Sequence, residues 1–213
     1  IMDTAGNKGT GNWATIATAE LGVPSTLIAS ALFARYTSFY KAERVAASIQ
    51  FNPENSTAPN LNIEDLHKAY QFARIINHYQ GFKLIQEASE RFKWALDLSE
   101  LARIWTNGCI IRSDYMIELA TIFKTTYNLF AHENTIQALK KRKSAIQKVV
   151  AGSVLHELPI PSISNAIHFF TEYTTANSSA NLLQAQRDYF GAHTYQRKED
   201  DTGQYYHTDW QQH

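Results

Sequence analysis

Apolar residues recur at intervals of three and four from Asn12 to Leu21 and again from Ser25 to Ser48, the spacing that lines one face of an α-helix. Gly22-Val23-Pro24 punctuates the two runs, so the pattern predicts two helices joined by a sharp turn, with Ser25 as the N-cap of the second. From Phe51 to Asn60 two prolines and several asparagines read as a loop. Asn62, followed by Glu64 and Asp65, then starts a long helix reaching about Phe92. Its stripe of Leu66, Ala69, Tyr70, Ala73, Ile76, Leu84 and Ala88, widened by Phe72 and Ile75, is broad enough to be covered by several partners, as a central helix requires. Gly81 inside that helix predicts a close-packing point, because glycine is costly in a helix interior without a reason.

Further helices fit Leu98 to Trp105, Asp114 to Tyr127 and Thr135 to Leu158, and no stretch alternates convincingly as a strand. The fold class is all-α. The segment Trp13 to Tyr36 also matches Val150 to Tyr173 at a constant offset, sharing Glu20/Glu157, Leu21/Leu158, Pro24/Pro161, Ser25/Ser162, Phe33/Phe170 and Tyr36/Tyr173 among others. A duplicated helix-turn-helix unit would explain the match, and so would helical patterning common to both segments. Past Tyr189 the character changes to glycines, the polar run Gln196 to Asp201, and then Tyr205-Tyr206-His207-Thr208-Asp209-Trp210. This predicts an extended tail whose aromatic groups need a surface to dock on, which a neighbouring subunit could supply.

Twenty basic residues balance twenty acidic ones, which removes the electrostatic footprint of a nucleic-acid binder and makes any anion site a local one. A single cysteine, Cys109, cannot form an internal disulfide, and no Cys/His cluster has zinc-ligand spacing, so a reduced cytoplasm is expected and no metal site. No apolar run approaches a membrane span, and the opening residues lack the pattern of a signal peptide, as though the chain began in mid-protein.

Candidate chemistry gathers at three places. The opening Asp3-Thr4-Ala5-Gly6-Asn7-Lys8-Gly9-Thr10-Gly11-Asn12-Trp13 sets a cation and a hydroxyl among three glycines before a helix. Glycines let backbone N–H groups approach an anion, Lys8 adds charge, Thr10 adds a directed hydrogen bond, and the helix N-terminus adds its dipole. A plain helix-entry loop is the alternative, and the order of a Walker A loop is absent. Arg35 stands among Ala31, Leu32, Phe33, Ala34 and Tyr36, where it either snorkels to an ion pair or presents a planar fork to phosphate oxygens. The run Ala180 to Tyr195 is dense in directional hydrogen-bonding groups, among them Arg187, Asp188 and His193, which surface ion pairing and an ordinary loop histidine would also explain. No GxGxxG precedes a helix and no GxSxG occurs, so neither a dinucleotide-binding unit nor a nucleophile elbow is present.

The opening block Ile1 to Trp13, Phe33-Ala34-Arg35, Tyr79-Gln80-Gly81-Phe82, Gly108-Cys109-Ile110-Ile111-Arg112-Ser113 and the run Ala180 to Tyr195 together resemble the C-terminal domain of the decarboxylating 6-phosphogluconate dehydrogenase family, in order and over essentially the whole chain. The resemblance implies a substrate-binding and dimerisation domain over residues 1–190 and a tail over 191–213 that passes into the other subunit, with the N-terminal Rossmann cofactor domain absent. It implies a homodimer in which Lys8, Thr10 and Arg35 hold the 6-phosphogluconate phosphate while Arg187 and His193 reach the partner's site. The family's complete enzyme, part of the pentose phosphate pathway and of gluconate utilisation, oxidises the sugar acid at C3 with NADP or NAD. It then releases CO2 to give ribulose 5-phosphate without a metal. The lysine base and glutamate acid of that chemistry belong upstream, so the chain alone is expected to be inactive. Three places depart from the family pattern: Asn12 where a basic residue is common, Thr106-Asn107 before Gly108, and Asp209 in the tail. The reading from another class is a helical dimerisation module that has lost the substrate, for which none of the five ligands would be needed.

Overall fold

The structure, a computed structural model, describes residues 1–51 and 60–210. The loop expected between Phe51 and Asn60 lies, for residues 52–59, outside them. Among the described residues the regular elements are helices, α1 Thr10–Leu21, α2 Thr26–Phe39, α3 Lys41–Phe51, α4 Ile63–Phe92, α5 Leu98–Ile104, α6 Asp114–Ile122, α7 Glu133–Leu155, α8 Pro161–Tyr173 and α9 Ala180–Gly191, with a short 3-10 turn at Leu129–Ala131. The one antiparallel bridge among them pairs Tyr195 with Tyr206. The all-α expectation holds.

Two compact units divide the chain, Ile1–Phe170 and Thr171–His213. In the first, α4 is the central element and packs most extensively on α7, with α1 and α2 also against it. Its buried Ala69, Phe72, Ala73, Ile76, Tyr79 and Phe82 meet Leu119, Phe123, Leu139, Ile146 and Val149. Aromatic pairs give this core its specific geometry, with Tyr79 stacked on Phe130 at 4.2 Å and Phe82 against Phe123 at 4.6 Å. Leu66 and Tyr70, counted in the apolar stripe of α4, are exposed, because the covered face is centred on the Phe72, Ile76, Tyr79 line.

Side-chain caps set the starts of α4, α5 and α6. The side chain of Asn62 accepts from Asp65 N at 2.7 Å, Asp97 accepts from Ser99 N and Glu100 N, and Ser113 accepts from Met116 N. α8 begins on Pro161, whose missing N–H costs nothing in a first turn. Other expectations shift, among them the helix foreseen from Asp114 to Tyr127, which ends at Ile122. The single helix foreseen from Ser25 to Ser48 is broken at Tyr40, where the Thr37 and Ser38 hydroxyls bond the carbonyls of Phe33 and Arg35 and the chain turns into α3. Ser25 stands at the N-cap of α2 but makes no side-chain cap there, and its hydroxyl is buried without a partner. The cap is supplied by the buried Gln80 of α4, which accepts from Leu27 N at 3.0 Å and donates to Thr26 Oγ1 at 3.0 Å. Gly81 is no close-packing point, since a Cβ there would meet nothing within 4 Å.

Both halves of the apparent internal repeat fold as a helix, a proline-bearing turn and a helix, α1 with α2 and α7 with α8. They turn differently. Gly22 closes α1 in the left-handed region at φ 67°, whereas the left-handed residue after α7 is Glu157 at φ 54°.

Candidate functional site

The opening segment is strapped to α2 and α3 along its length. Asp3 bridges Lys41 at 2.6 Å and Arg44 at 2.9 Å. The hydrogen bonds from Lys41 and Arg44 hold its carboxyl at about 2. Ala5 N donates to Ser38 Oγ at 2.9 Å, Asn7 Nδ2 donates to Tyr36 Oη at 3.4 Å, and Arg35 Nη2 donates to the carbonyl of Gly6. Each of these partners lies on the last two turns of α2, so the strap brings Lys8 and Thr10 to the corner of the unit that Arg35 occupies.

That corner has the character of an anion site. Asn7 Oδ1 accepts from Gly9 N at 2.8 Å and turns the chain, and Gly9 takes φ 95°, a left-handed conformation that glycine adopts without the strain of a Cβ. Thr10 is the first residue of α1, and no side chain caps the helix. Its first-turn amides therefore have no intrahelical acceptor and point outward with the positive end of the dipole. Lys8 and Thr10 are exposed, and neither side chain has a hydrogen-bond or ion-pair partner among the described residues. Arg35 is likewise exposed, and the one bond of its guanidinium among the described residues goes to Gly6. Asp3 carries one negative charge against the two positive charges of Lys41 and Arg44, so with the unpaired Lys8 and Arg35 the local balance is positive. A cleft of about 790 Å3 also runs beside α2, lined by Thr26, Ser30, Phe33, Thr37 and Arg44 among others, and none of the expected ligands lines it.

Arg187 and His193 belong to the second unit. Arg187 projects from the last turns of α9 into solvent, with Nη1 donating to Gln184 Oε1 at 3.1 Å. His193 follows the helix, its ring edge-on to Phe190 at 5.7 Å and over Gly191, where a Cβ would lie 2.8 Å from the imidazole Nε2. Glycine at 191 is thus what lets the ring sit there. Asp188 is where the structure departs from a surface ion pair. Rather than an exposed ion-pair partner, it is fully buried and accepts four hydrogen bonds, from Thr194 N, His207 Nδ1, Thr208 N and Trp210 Nε1. Burial alone would raise its carboxyl, but these donors outweigh that and hold it at about 2. The tail after α9 is extended as expected, yet much of it folds back within its own unit. Arg197 lies over the Tyr206 ring at 4.2 Å, Tyr206 Oη donates to Asp200, and Trp210 meets Tyr189. Tyr189, Phe190 and Tyr205 remain exposed. Among the described residues no group of three or more His, Cys, Asp or Glu could hold a metal ion, and no helix is long and apolar enough to cross a membrane.

A helical unit with a basic, glycine-lined helix entry, followed by a small unit with an exposed arginine and histidine at a helix end, defines a class of all-helical domain with a candidate anion site. The particular family follows from comparison. The family model for the C-terminal domain of 6-phosphogluconate dehydrogenase matches residues 1–210, and the chain belongs to that family. It is 40% identical over 220 residues to the decarboxylating 6-phosphogluconate dehydrogenase of Lactococcus lactis subsp. lactis (strain IL1403), covering 99% of this chain and 45% of that protein. Identity to the Drosophila melanogaster enzyme of the same description is 40% over 217 residues, again 45% of its length. In three dimensions it superposes on Plasmodium falciparum 6-phosphogluconate dehydrogenase with a TM-score of 0.92 at 37% identity, over 99% of this chain and 46% of that one. That protein is known in its apo form, with its cofactor NADP+ and with its substrate 6-phosphogluconate. The chain therefore spans a little under half the length of the relatives it matches.

Proposed function

We propose that the chain is the substrate-binding and dimer-forming part of a cytoplasmic enzyme that oxidatively decarboxylates 6-phosphogluconate to ribulose 5-phosphate and CO2 with NADP or NAD. Residues 1–190 bind substrate and pair the subunits, and residues 191–213 form the tail that reaches the partner. The observation that supports this reading is the bond from Arg35 to the Gly6 carbonyl, two residues before Lys8 and close in sequence to the N-terminus of α1. Two cations, a hydroxyl and the first-turn amides of a helix are groups that suit a phosphate dianion. Arg187 and His193, from the partner, complete the ring of donors around the substrate.

The phosphate is remote from the carbon that is oxidised. Binding energy gathered there orients the reacting carbon without taking part in the chemistry, so this part of the enzyme holds the substrate while the remainder reacts with it. We assign the cofactor to that remainder, since a dinucleotide-binding crossover is built from strands and the regular elements among the described residues are helices.

The test is calorimetric titration of 6-phosphogluconate into the complete enzyme carrying this chain, unmodified and as Arg35→Ala or Arg187→Ala. Loss of one charged hydrogen-bond pair corresponds to about 1.5 to 3 kcal/mol, a weakening of roughly 10- to 150-fold. Unchanged affinity in both variants, or NADP reduction by the 213-residue chain alone, would overturn the reading.

A further inference from the structure

Two residues with side chains flank His193 in the left-handed region, Ala192 at φ 50° and Thr194 at φ 59°. Such backbone is costly for residues with a Cβ and persists only where its surroundings over-determine it. Here the restraint comes chiefly from one residue. The main-chain carbonyl of Asp188 accepts from Ala192 N at 2.9 Å, and its side-chain Oδ1 accepts from Thr194 N at 2.9 Å. Gln184 Nε2, one helical turn earlier, adds a bond to the Thr194 carbonyl at 2.5 Å. The same carboxylate takes His207 Nδ1 at 2.9 Å on Oδ1, and Thr208 N at 3.1 Å with Trp210 Nε1 at 2.9 Å on Oδ2. The end of α9, the turn bearing His193 and the segment His207 to Trp210 are thus tied to one buried carboxylate. Asp188 is the immediate neighbour of Arg187 in the chain.

From this geometry we propose that Asp188 is a positioning residue for phosphate capture, fixing the left-handed turn and folded-back tail so that Arg187 and His193 are presented together; this rests on the substrate-site reading above. Asp188 cannot itself be a ligand, because it has no exposed surface and both oxygens already accept two donors each. A buried carboxylate with four donors also tolerates no neutral isostere. An amide in its place would turn an NH2 toward two N–H groups and leave buried donors unpaired.

Asp188→Asn, Trp210→Phe and Arg187→Ala in the complete enzyme test the assignment. Trp210→Phe removes one of the four donors while keeping a ring against Tyr189. For Asp188→Asn the expected result is a rise of roughly tenfold or more in the KM for 6-phosphogluconate, matched by the inhibition constant of inorganic phosphate, with the KM for NADP held within about twofold. Trp210→Phe should move the same two quantities in the same direction by a smaller factor, which keeps the proposal testable should Asp188→Asn fail to fold. A parallel rise in the KM for NADP would mark a general structural defect and overturn the assignment. So would Asp188→Asn or Trp210→Phe that leaves phosphate inhibition unchanged while Arg187→Ala weakens it, and in that case the substrate-site reading would survive. If Arg187→Ala leaves phosphate inhibition untouched, the underlying reading falls and the positioning role falls with it.

Discussion

His78, eight per cent exposed in the middle of α4, shows how a single side chain sets a pH dependence. Its Nδ1 donates to the Arg74 carbonyl at 2.7 Å, its ring meets Tyr115 edge-on, and its Nε2 is buried without a partner. Burial pulls its pKa below the ordinary 6.5, the bond to the Arg74 carbonyl opposes this, and the Arg74 charge adds to the lowering. The unfolded chain then binds a proton that the folded one refuses, so stability is full above 6.5 and declines as the pH falls below it. The carboxylates with depressed values, Asp3, Glu64, Glu100, Asp188 and Asp200, act in a lower window. Their contribution is present above their ordinary values of 3.8 to 4.5 and is lost only as the pH drops beneath those. Urea denaturation of the chain at pH 7.5 and 5.5 should show lower stability at 5.5, and His78→Gln should flatten that difference. An equally steep difference in the variant would place its origin elsewhere.

At the scale of elements, α4 carries the clearest prediction. Gly81 lies in its interior with open space where a Cβ would go, so Gly81→Ala should stabilise the chain by about 0.5 to 1 kcal/mol through helix propensity and lower unfolded-state entropy. Denaturant melting reads the gain, and a loss instead would mean that another surface packs against this position. The helices themselves were legible where a single residue dictates a boundary, as Asn62 does for α4. They were illegible where the decision is made at a distance. Ser25 has the composition of an N-cap, yet the cap of α2 arrives from Gln80, more than fifty residues on. The break at Tyr40 follows two hydroxyls bonded to backbone carbonyls, a bonding that Thr15 and Thr18 make inside α1 without ending it, so nothing local in the spacing marks it. The site divides the same way. Lys8 and Thr10 stand out locally among glycines, whereas Asp188 gains its meaning from Thr194, His207, Thr208 and Trp210, a set that only the folded tail assembles.

At the scale of the whole molecule, the decisive question is which chain serves which site. Large apolar side chains stay exposed in both units, Trp13, Ile16, Ile49 and Phe51 in the first and Leu182, Leu183, Tyr189 and Phe190 in the second, and patches of this kind mark association surfaces. In the proposed homodimer, Lys8, Thr10 and Arg35 of one subunit face Arg187 and His193 of the other. Three cations around one phosphate repel each other until the anion arrives, so the site should also take up sulfate or phosphate in the absence of substrate. Mixed dimers separate the two possible arrangements. When Arg35→Ala and Arg187→Ala chains are co-expressed within the complete enzyme, a heterodimer with shared sites has one site carrying both lesions and one carrying neither. It should recover about half the wild-type activity per heterodimer, where each single-mutant homodimer has two damaged sites. If both arginines instead serve their own chain's site, every site in the heterodimer keeps one lesion and activity stays at the level of the single mutants. Purification through different affinity tags on the two chains, followed by activity per heterodimer, distinguishes these outcomes. Absence of recovery would refute the shared site while leaving the family membership intact.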